Sequence, residues 1–371
     1  RQARQAIRRA RRDNPQARII VTGCAAQISP ASWSAMDEVD HVVGNHDKLS
    51  KAAWQTIAEG GAAPVISDIM AVREMASHMV DGFHAHTRGF LQIQQGCDHR
   101  CTFCIIPYGR GNNRSAGLGQ IIDSAQRLVD SGSVEIVLTG VDITSWGSDL
   151  PGRPRLGDLV RALLARVTGL QRLRLSSVDP AEPDARLMDV LADDERLMPH
   201  LHLSAQHGDD LVLKQMKRRH LARDVVRFCD EARRRRSDIV FGADIIAGFP
   251  TETEAAHDAT CAMIQRAGIT YLHVFPFSPR DGTPAARMRQ LDGGIIRRRA
   301  QALRSEGRDR LTRFLDNALG SQDQMLVEAG NSGHARNYAK MQLQGDFLDP
   351  GALVNVRVSG RDGDTLLVER Q

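Results

Sequence analysis

Residues 96–104 read GCDHRCTFC and place three cysteines, Cys97, Cys101 and Cys104, in the spacing CxxxCxxC. Phe103 stands directly before the last of these thiols. Three thiolates can bind three irons of a cubane iron–sulfur cluster and leave the fourth iron without a protein ligand, whereas most electron-transfer clusters are closed by four cysteines. An open iron, like the open position of a catalytic zinc site, indicates that a substrate or cofactor binds there.

The spacing by itself leaves two other kinds of site open. Three close cysteines also occur in half of a zinc site, for which His99 inside the loop is a possible fourth ligand, and in ferredoxin-like clusters. The paired CxxC motifs typical of zinc ribbons are absent from this sequence, which disfavours zinc.

Composition narrows the class of protein. The chain has 371 residues, enough for two or three domains, and its six cysteines are too few for a disulfide-stapled secreted protein. We find no signal-peptide pattern and no apolar run long enough to span a bilayer. We therefore expect a cytoplasmic protein that does not interact with membranes.

Basic residues are unevenly distributed, although the net charge is only +4. Residues 1–12 contain six arginines and no acid, and further basic clusters occur at 214–220 and 233–236. One arginine run is usually a solvated helix face, but several together favour an RNA partner, and we expect no DNA partner. Because the chain starts with Arg1 inside a predicted helix, without a methionine or a capping residue, we expect its true N-terminus to lie before Arg1.

Strands and helices alternate from about residue 89 to residue 317, which predicts an α/β fold with a parallel sheet and right-handed crossovers. About six strand–helix units predict a partial (β/α)6 barrel with its working residues at the C-terminal ends of the strands. The last fifty residues form short alternating strands and predict a small β-barrel. The expected domains are residues 1–75, an incomplete α/β N-terminal domain, residues 86–318, the partial barrel, and residues 319–371, the terminal β-barrel.

Polar or glycine residues follow the predicted strands in order. Gly140 follows the second strand, Ser177 the third, Gln206 the fourth and Gly248 the fifth. Each signal is weak alone, because glycine and polar residues occur in most loops between a strand and a helix. Their order along the chain is the more specific feature.

Several segments together resemble the methylthiotransferases of the radical S-adenosylmethionine (radical-SAM) superfamily, and the resemblance covers essentially the whole chain. They are QQGCDHRCTFCIIPYGRGNNRS (94–115), LTGVDI (138–143), RLRLSSVDP (172–180), ADIIAGFPTETE (243–254) and FPFSPRDGTPAA (275–286). The terminal β-barrel resembles the RNA-binding, OB-like TRAM domain, with GHARNY (333–338) matching its early motif.

Two features point to one branch of that family. The short interval PYGRGNNRS after the last cysteine and the GHARNY motif most resemble the tRNA branch that converts N6-threonylcarbamoyladenosine, next to the anticodon, to its 2-methylthio form. The branches that modify isopentenyladenosine or a ribosomal protein usually have a longer loop there. A non-catalytic RNA-binding relic is the remaining alternative.

The resemblance implies roles for individual residues. Cys97, Cys101 and Cys104 would bind the radical-generating [4Fe–4S] cluster, whose open iron S-adenosylmethionine chelates. Cys24 in VTGCAAQ would bind a second, auxiliary [4Fe–4S] cluster that supplies sulfur. The remaining residues with an implied role contact the cofactor: Phe103 near the adenine, Gly140 at the methionine amine, and Ser177 and Gln206 at the ribose or the carboxylate. The implied partners are tRNA and an electron donor.

The sequence departs from the family pattern in its N-terminal region. The auxiliary cluster should have three cysteines there, and only Cys24 is present. Cys229 and Cys261 lie in predicted helices and are expected to be packing residues, so the two missing ligands are expected before Arg1. On the RNA side, residues 322–371 contain five Lys or Arg against seven Asp or Glu. His334, Tyr338 and Lys340 are the candidate RNA contacts, with a structural role for the first two left open.

Overall fold

The structure is a computed structural model that describes residues 2–62, 66–74, 87–182 and 184–371. The helices are α1 (Gln2–Asp13), α2 (Cys24–Ile28), α3 (Pro30–Ser34), α4 (Lys51–Ala58), α5 (Ile106–Arg110), α6 (Leu118–Asp130), α7 (Leu156–Arg166), α8 (Ala185–Asp193), α9 (Asp210–Gln215), α10 (Ala222–Arg235), α11 (Glu254–Ala267) and α12 (Gly293–Asn317). The strands are β1 (Ile20–Thr22), β2 (His41–Val43), β3 (Arg88–Gln92), β4 (Gln94–Gln95), β5 (Arg114–Ser115), β6 (Glu135–Thr139), β7 (Arg172–Leu175), β8 (Ser177–Val178), β9 (His200–Gln206), β10 (Val240–Ala247), β11 (Ile269–Pro276), β12 (Gln322–Val327), β13 (Ser332–Ala335), β14 (Lys340–Leu343), β15 (Leu353–Asp362) and β16 (Thr365–Arg370).

The described residues form two compact units, and the first comprises those of 1–76 together with 95–100 and 104–114. Its parallel strands β1 and β2 lie beside a small core that includes Ala26, Trp33 and Val42. The predicted basic helix is confirmed as α1, which has no fully buried residue. Arg11 of α1 pairs with Asp40 at 2.6 Å and Arg8 with Glu38 at 3.3 Å, so these two arginines already have acidic partners.

The second unit contains two parallel sheets, with the strand orders β3-β6-β7 and β8-β9-β10-β11. Helices α6 to α12 alternate with these strands along the chain, which confirms the predicted α/β alternation. The run QRLRLSS (171–177) has the composition of a single strand, yet it forms two, because β7 ends at Leu175 and β8 begins at Ser177. Residues 60–88, whose mixed composition rich in Gly, Ala, His and Met predicts a linker, lie partly outside the described residues.

Helices cover one face of the β9–β11 sheet. Leu272 of β11 lies 3.0 Å from the position that a Cβ would take on Gly307 of α12, and the Phe241 ring of β10 contacts Arg233 of α10. Since side chains alternate between the two faces of a strand, the residues next to these point to the opposite face. We call that opposite face the inner face; its residues on β9, β10 and β11 include His202, Asp244 and His273.

The terminal strands form the closed barrel β12-β13-β14-β16-β15, which confirms the predicted small β-barrel. Its core contains Met325, Val356 and Val368, all fully buried, and Leu315 of α12 packs against them. Among the described residues, no helix is both long and apolar enough to cross a membrane.

The terminal barrel is docked on the N-terminal ends of β7, β9 and β11 by polar and aromatic contacts. Arg172 donates to the Gln324 carbonyl at 2.7 Å, and Arg174 donates to the Arg336 carbonyl at 3.2 Å. The Tyr338 ring stacks on His200, with 5.1 Å between ring centroids. These contacts anchor the terminal barrel to the sheet within the second unit.

Candidate active site

The cysteine loop begins with a turn that only glycine tolerates well. Gly96 has φ +77°, and a Cβ there would collide with the Asn112 carbonyl. The Cys97 N–H donates to the Gly111 carbonyl at 3.0 Å, and Asp98 accepts from the Asn113 N–H at 2.9 Å. The side chains of all three loop cysteines are half-buried. The backbone therefore holds the first part of the loop in place independently of any bound group.

The middle of the loop, residues 101–103, is part of the second unit and is fixed by contacts within it. Thr102 donates from its N–H to the Met216 carbonyl at 3.1 Å and from its hydroxyl to the Gln215 carbonyl at 2.9 Å. Phe103 packs against a buried cluster that includes Phe249 and Phe277. Phe103 is therefore held in position by an apolar wall.

A buried arginine contacts the second loop cysteine. The Arg218 guanidinium lies 3.7 Å from the Cys101 Sγ and also donates to Asp179 at 3.0 Å and to the Ser204 carbonyl at 2.7 Å. Its side chain is 8% exposed. Burial opposes ionisation of Asp179, but His220 and Arg218 outweigh it and lower the pKa of Asp179. The ionised Asp179 in turn holds the guanidinium of Arg218 beside the Cys101 sulfur.

The loop after β6 is held by a glutamine that lies just before the cysteines. Gln94 Oε1 accepts from the N–H groups of Val141 at 2.9 Å and Asp142 at 2.8 Å. A Cβ on Gly140 would lie 2.8 Å from the same oxygen, so the approach requires glycine. Gln94 thus fixes the backbone conformation next to Gly140.

Ser177 and Gln206 lie on the paired strands β8 and β9. Ser177 is half-buried in β8, opposite His202 in the register. Gln206 ends β9 with φ +67°, an uncommon backbone conformation for a residue with a Cβ. Non-glycine residues in this region often belong to functional sites. The cofactor contacts of Ser177 and Gln206 remain predictions.

Cys24 lies in a separate, cationic environment in the first unit. Arg110 donates to the Cys24 Sγ at 3.1 Å, and Asn45 donates to the same sulfur at 3.5 Å. Lys48 belongs to the same environment. Burial, and after it the positive charge of Arg110, lowers the pKa of Lys48, whereas Cys24 acts to raise it. The Cys24 sulfur is therefore surrounded by hydrogen-bond donors, one of them a guanidinium. Cys24 is the only cysteine of residues 1–75, so this stretch supplies one cysteine ligand for a cluster at this position.

Comparison with known proteins identifies the family. Residues 91–264 match the model of the radical SAM superfamily. The threonylcarbamoyladenosine tRNA methylthiotransferase MtaB of Rickettsia prowazekii is 47% identical over 359 residues, which cover 97% of this chain and 84% of that protein. The chain belongs to the radical-SAM methylthiotransferase family. A tRNA-2-methylthio-N(6)-dimethylallyladenosine synthase of Cereibacter sphaeroides, of the same family, is 34% identical over 96% of this chain and 82% of that protein.

Solved structures show the fold at lower sequence similarity. The radical S-adenosylmethionine methyltransferase TsrM of Kitasatospora setae superposes with a TM-score of 0.58 and 18% identity, over 76% of this chain and 60% of that one. At 18% identity, this likeness supports the radical-SAM fold of the present chain but says nothing about its substrate or reaction.

The remaining cysteines of this methylthiotransferase lie in helices of the second unit. Cys229 is buried in α10, and burial raises the pKa of its thiol to about 12. Cys261 is half-buried in α11, where burial also raises the thiol pKa. Both environments disfavour the thiolate and therefore support the predicted packing role.

Two of the three candidate RNA contacts are engaged within the protein. Tyr338 stacks between His200 and His334, and the Arg174 guanidinium lies 5.0 Å from its ring. His334 is also 3.4 Å from Glu328. These contacts support the structural alternative for His334 and Tyr338. Lys340 begins β14 with its side chain exposed.

Sequence reasoning missed the supporting residues of the site. Arg218 appeared only as part of a basic cluster, and no sequence signal distinguishes it from the exposed Arg219. Arg110, Asn45 and Gln94 were not identified either. The adjacency of Gln94 to the cysteine loop was the one available signal.

Proposed function

We propose that this protein is a tRNA methylthiotransferase that converts N6-threonylcarbamoyladenosine, next to the anticodon, to its 2-methylthio derivative. The observation that carries this proposal is the 47% identity, over nearly the whole chain, to a methylthiotransferase named for that nucleoside. The dimethylallyladenosine relative is less similar, at 34%. The intact cysteine loop supports a catalytic role rather than that of an RNA-binding relic.

The residues present fit the cofactors of a radical-SAM enzyme. Cys97, Cys101 and Cys104 would hold a [4Fe–4S] cluster with S-adenosylmethionine at its open iron, and the buried Arg218 cation beside Cys101 suits an anionic cluster ligand. Cys24 would be one ligand of the auxiliary [4Fe–4S] cluster. When bound, these groups supply radical chemistry at an aromatic C–H that acid–base catalysis cannot activate.

The protein's own contribution would be to position these groups. Phe103, held by the apolar cluster around Phe277, would contact the adenine of S-adenosylmethionine. The backbone at Gly140, set by Gln94, would bind the methionine amine. Ser177 and Gln206 would contact the ribose or the carboxylate. In each case a fixed backbone or side chain lowers the entropy cost of alignment.

The domain assignment also belongs to the proposal. Residues 1–75 would form the N-terminal domain of the auxiliary cluster, residues 86–318 the partial (β/α)6 barrel, and residues 319–371 a TRAM-like, OB-like barrel that contacts tRNA. The strand orders of the two parallel sheets and the closed five-stranded barrel support this division. We expect a cytoplasmic enzyme with tRNA and an electron donor as partners, and no interaction with membranes or DNA.

Lys340 provides a test of tRNA binding by the terminal barrel. We expect Lys340→Ala to weaken tRNA binding and to reduce the slope of log K against log salt by about one, because one phosphate contact is lost. Lys51→Ala, a change of the same charge on α4, is the control. Titrations at several salt concentrations measure both, and an unchanged slope for Lys340→Ala would remove this residue from the interface.

Arg218 provides a test of the cysteine environment. We expect Arg218→Met to lower the reduction potential of the reconstituted cluster, since a buried cation and hydrogen-bond donor to Cys101 stabilises the more negative, reduced form. Cleavage of S-adenosylmethionine should fall by about tenfold, equivalent to about 1.4 kcal/mol. Arg219→Met, which removes an exposed arginine paired with Glu182, is the control. Equal potentials in redox titrations of both variants would contradict this role.

The proposed function is tested by nucleoside mass spectrometry of tRNA from cells with and without the gene. We expect the 2-methylthio group to disappear from threonylcarbamoyladenosine alone. Loss of the group from an isopentenyl-type adenosine would assign the other tRNA branch. An unchanged nucleoside profile would contradict the proposal, and a changed intact mass of a ribosomal protein would then identify that substrate instead.

A further inference from the structure

Three polar side chains from neighbouring strands meet on the inner face of the sheet. His202 of β9, Asp244 of β10 and His273 of β11 place one nitrogen or oxygen each within 4.8 Å of one another. Asp244 and His273 are partners in the register of β10 and β11, and a Cβ on Gly242 would collide with His202. We call these three residues the inner-face triad. None of the roles proposed above uses them.

Hydrogen bonding orients the triad so that one member is available to a ligand. Asp244 Oδ1 lies 2.8 Å from His202 Nε2 and 3.4 Å from His273 Nδ1. Because the two imidazole nitrogens are on different sides of the ring, His273 keeps Nε2 for another partner. The His273 side chain is 62% exposed, whereas His202 and Asp244 are largely covered. His273 is therefore the accessible group of the triad.

The charge of the triad suits an anion at His273. Burial opposes ionisation of Asp244, but hydrogen bonds from His202 and His273 outweigh it and lower the pKa of Asp244 to about 2. The hydrogen bond to this carboxylate raises the pKa of His273. Nδ1 of His273 faces Asp244 and Nε2 is the ring nitrogen left for a ligand, to which the protonated ring offers an N–H and a positive charge.

An exposed aromatic ring lies beside the triad. Phe275 is two residues beyond His273 on the same face of β11 and is 50% exposed. Two residues along a strand span about 7 Å. An exposed ring next to a polar cluster suits a ligand that combines an aromatic group with a charged one.

We propose that the inner-face triad binds the carboxylate of the threonylcarbamoyl group on the target nucleoside, with His273 as the contacting residue and Phe275 stacking on the attached base. This inference rests on the proposed function. Threonylcarbamoyladenosine carries an adenine joined through a short urea linkage to a carbon that bears a carboxylate, so its aromatic and anionic ends match Phe275 and His273. Asp244 is a positioning residue that acts through His273.

The same chemistry explains a preference for the threonylcarbamoyl nucleoside over the dimethylallyl nucleoside that other family members modify. A dimethylallyl group is uncharged and apolar, and it offers no partner to the His273 Nε2–H. A site built around a charged hydrogen bond disfavours a ligand that leaves its polar group unpaired. The triad would therefore select the threonylcarbamoyl substrate over the dimethylallyl one.

The test measures RNA binding without turnover. Reconstituted enzyme with S-adenosylmethionine and no reductant is titrated with three anticodon stem-loops of one sequence, which carry threonylcarbamoyladenosine, its carboxylate methyl ester or unmodified adenosine. We expect the wild type to bind the first about tenfold more tightly than the other two, as expected for about 1.4 kcal/mol from one charged hydrogen bond. His273→Ala should abolish this preference while leaving affinity for the unmodified RNA within about twofold.

Matched variants separate recognition from folding. His273→Arg, which restores a cation, should recover part of the preference, and Asp244→Asn should reduce it. His41→Ala, a histidine at the start of β2 in the first unit, should keep it. With reductant, His273→Ala should raise KM for threonylcarbamoyl RNA and change kcat little, because ground-state binding is what it removes.

Defined outcomes would overturn the inference. Equal wild-type affinity for the acid and its methyl ester, or a full preference in His273→Ala, would contradict it. A preference that EDTA abolishes while the cluster absorbance stays unchanged would assign the triad to a divalent metal instead. The proposed function is judged separately, by whether the wild-type enzyme modifies threonylcarbamoyl RNA in the same preparation.

Discussion

Cys101→Ala abolishes the radical cluster and all turnover in our account. With one of three thiolates removed, the site keeps two protein ligands for a cubane cluster, and the Arg218 cation loses the sulfur it contacts. We expect reconstituted protein to lose its cluster absorbance and electron paramagnetic resonance signal. Cleavage of S-adenosylmethionine should fall by at least about 10³-fold, equivalent to about 4 kcal/mol of transition-state stabilisation.

The control for this change is a cysteine outside the loop. Cys261→Ala, in α11, should keep the cluster and the cleavage activity. Iron and sulfide analysis of both variants after identical reconstitution makes the comparison direct. Full turnover by Cys101→Ala would show that the loop cysteines do not form the catalytic cluster site.

Glu135→Gln is expected to destabilise the second unit by about 3–5 kcal/mol, because it leaves buried arginines without their carboxylate. Glu135 at the start of β6 is buried and binds Arg174 through two hydrogen bonds, at 2.8 and 3.0 Å. Arg172 lies 4.0 Å away, and its burial lowers its pKa to about 10. Both arginines also donate to carbonyls of the terminal barrel, so the change should loosen its docking as well.

Urea unfolding followed by circular dichroism measures this loss of stability. Glu231→Gln, which removes a helix-surface pair with Arg235, is the matched control and should leave the unfolding midpoint close to that of the wild type. Adding Arg174→Met to Glu135→Gln should recover part of the loss, since the unpaired charge is then removed. A midpoint for Glu135→Gln equal to that of Glu231→Gln would mean that this buried pair does not stabilise the unit.

Local periodicity predicted most of the elements. The predicted alternation of strands and helices from residue 89 to residue 317 is confirmed, and it ends with the long helix α12. Such patterns can be recognised in the sequence because one face of each helix or strand must be apolar. The break at Ser176 between β7 and β8 was not predicted, because the run RLRLSS contains no glycine or proline to mark it.

The sequence could not predict the parts of the site that depend on tertiary contacts. Arg218 and Arg219 are neighbours in one basic run, yet the first is buried against Cys101 and the second is exposed. The inner-face triad draws its members from three strands, so no local spacing reveals it. Tyr338 belongs to a motif associated with RNA, but its ring is stacked between two histidines of the protein.

The most direct test of the central claim is reconstitution of the reaction with purified components. The protein is loaded with iron and sulfide under anaerobic conditions and given a reductant, S-adenosylmethionine with a deuterated methyl group, and tRNA that carries threonylcarbamoyladenosine. We predict that nucleoside mass spectrometry will find a deuterated methylthio group in place of the C2 hydrogen of that nucleoside. Cleavage of S-adenosylmethionine with no methylthio group on the nucleoside would contradict the account.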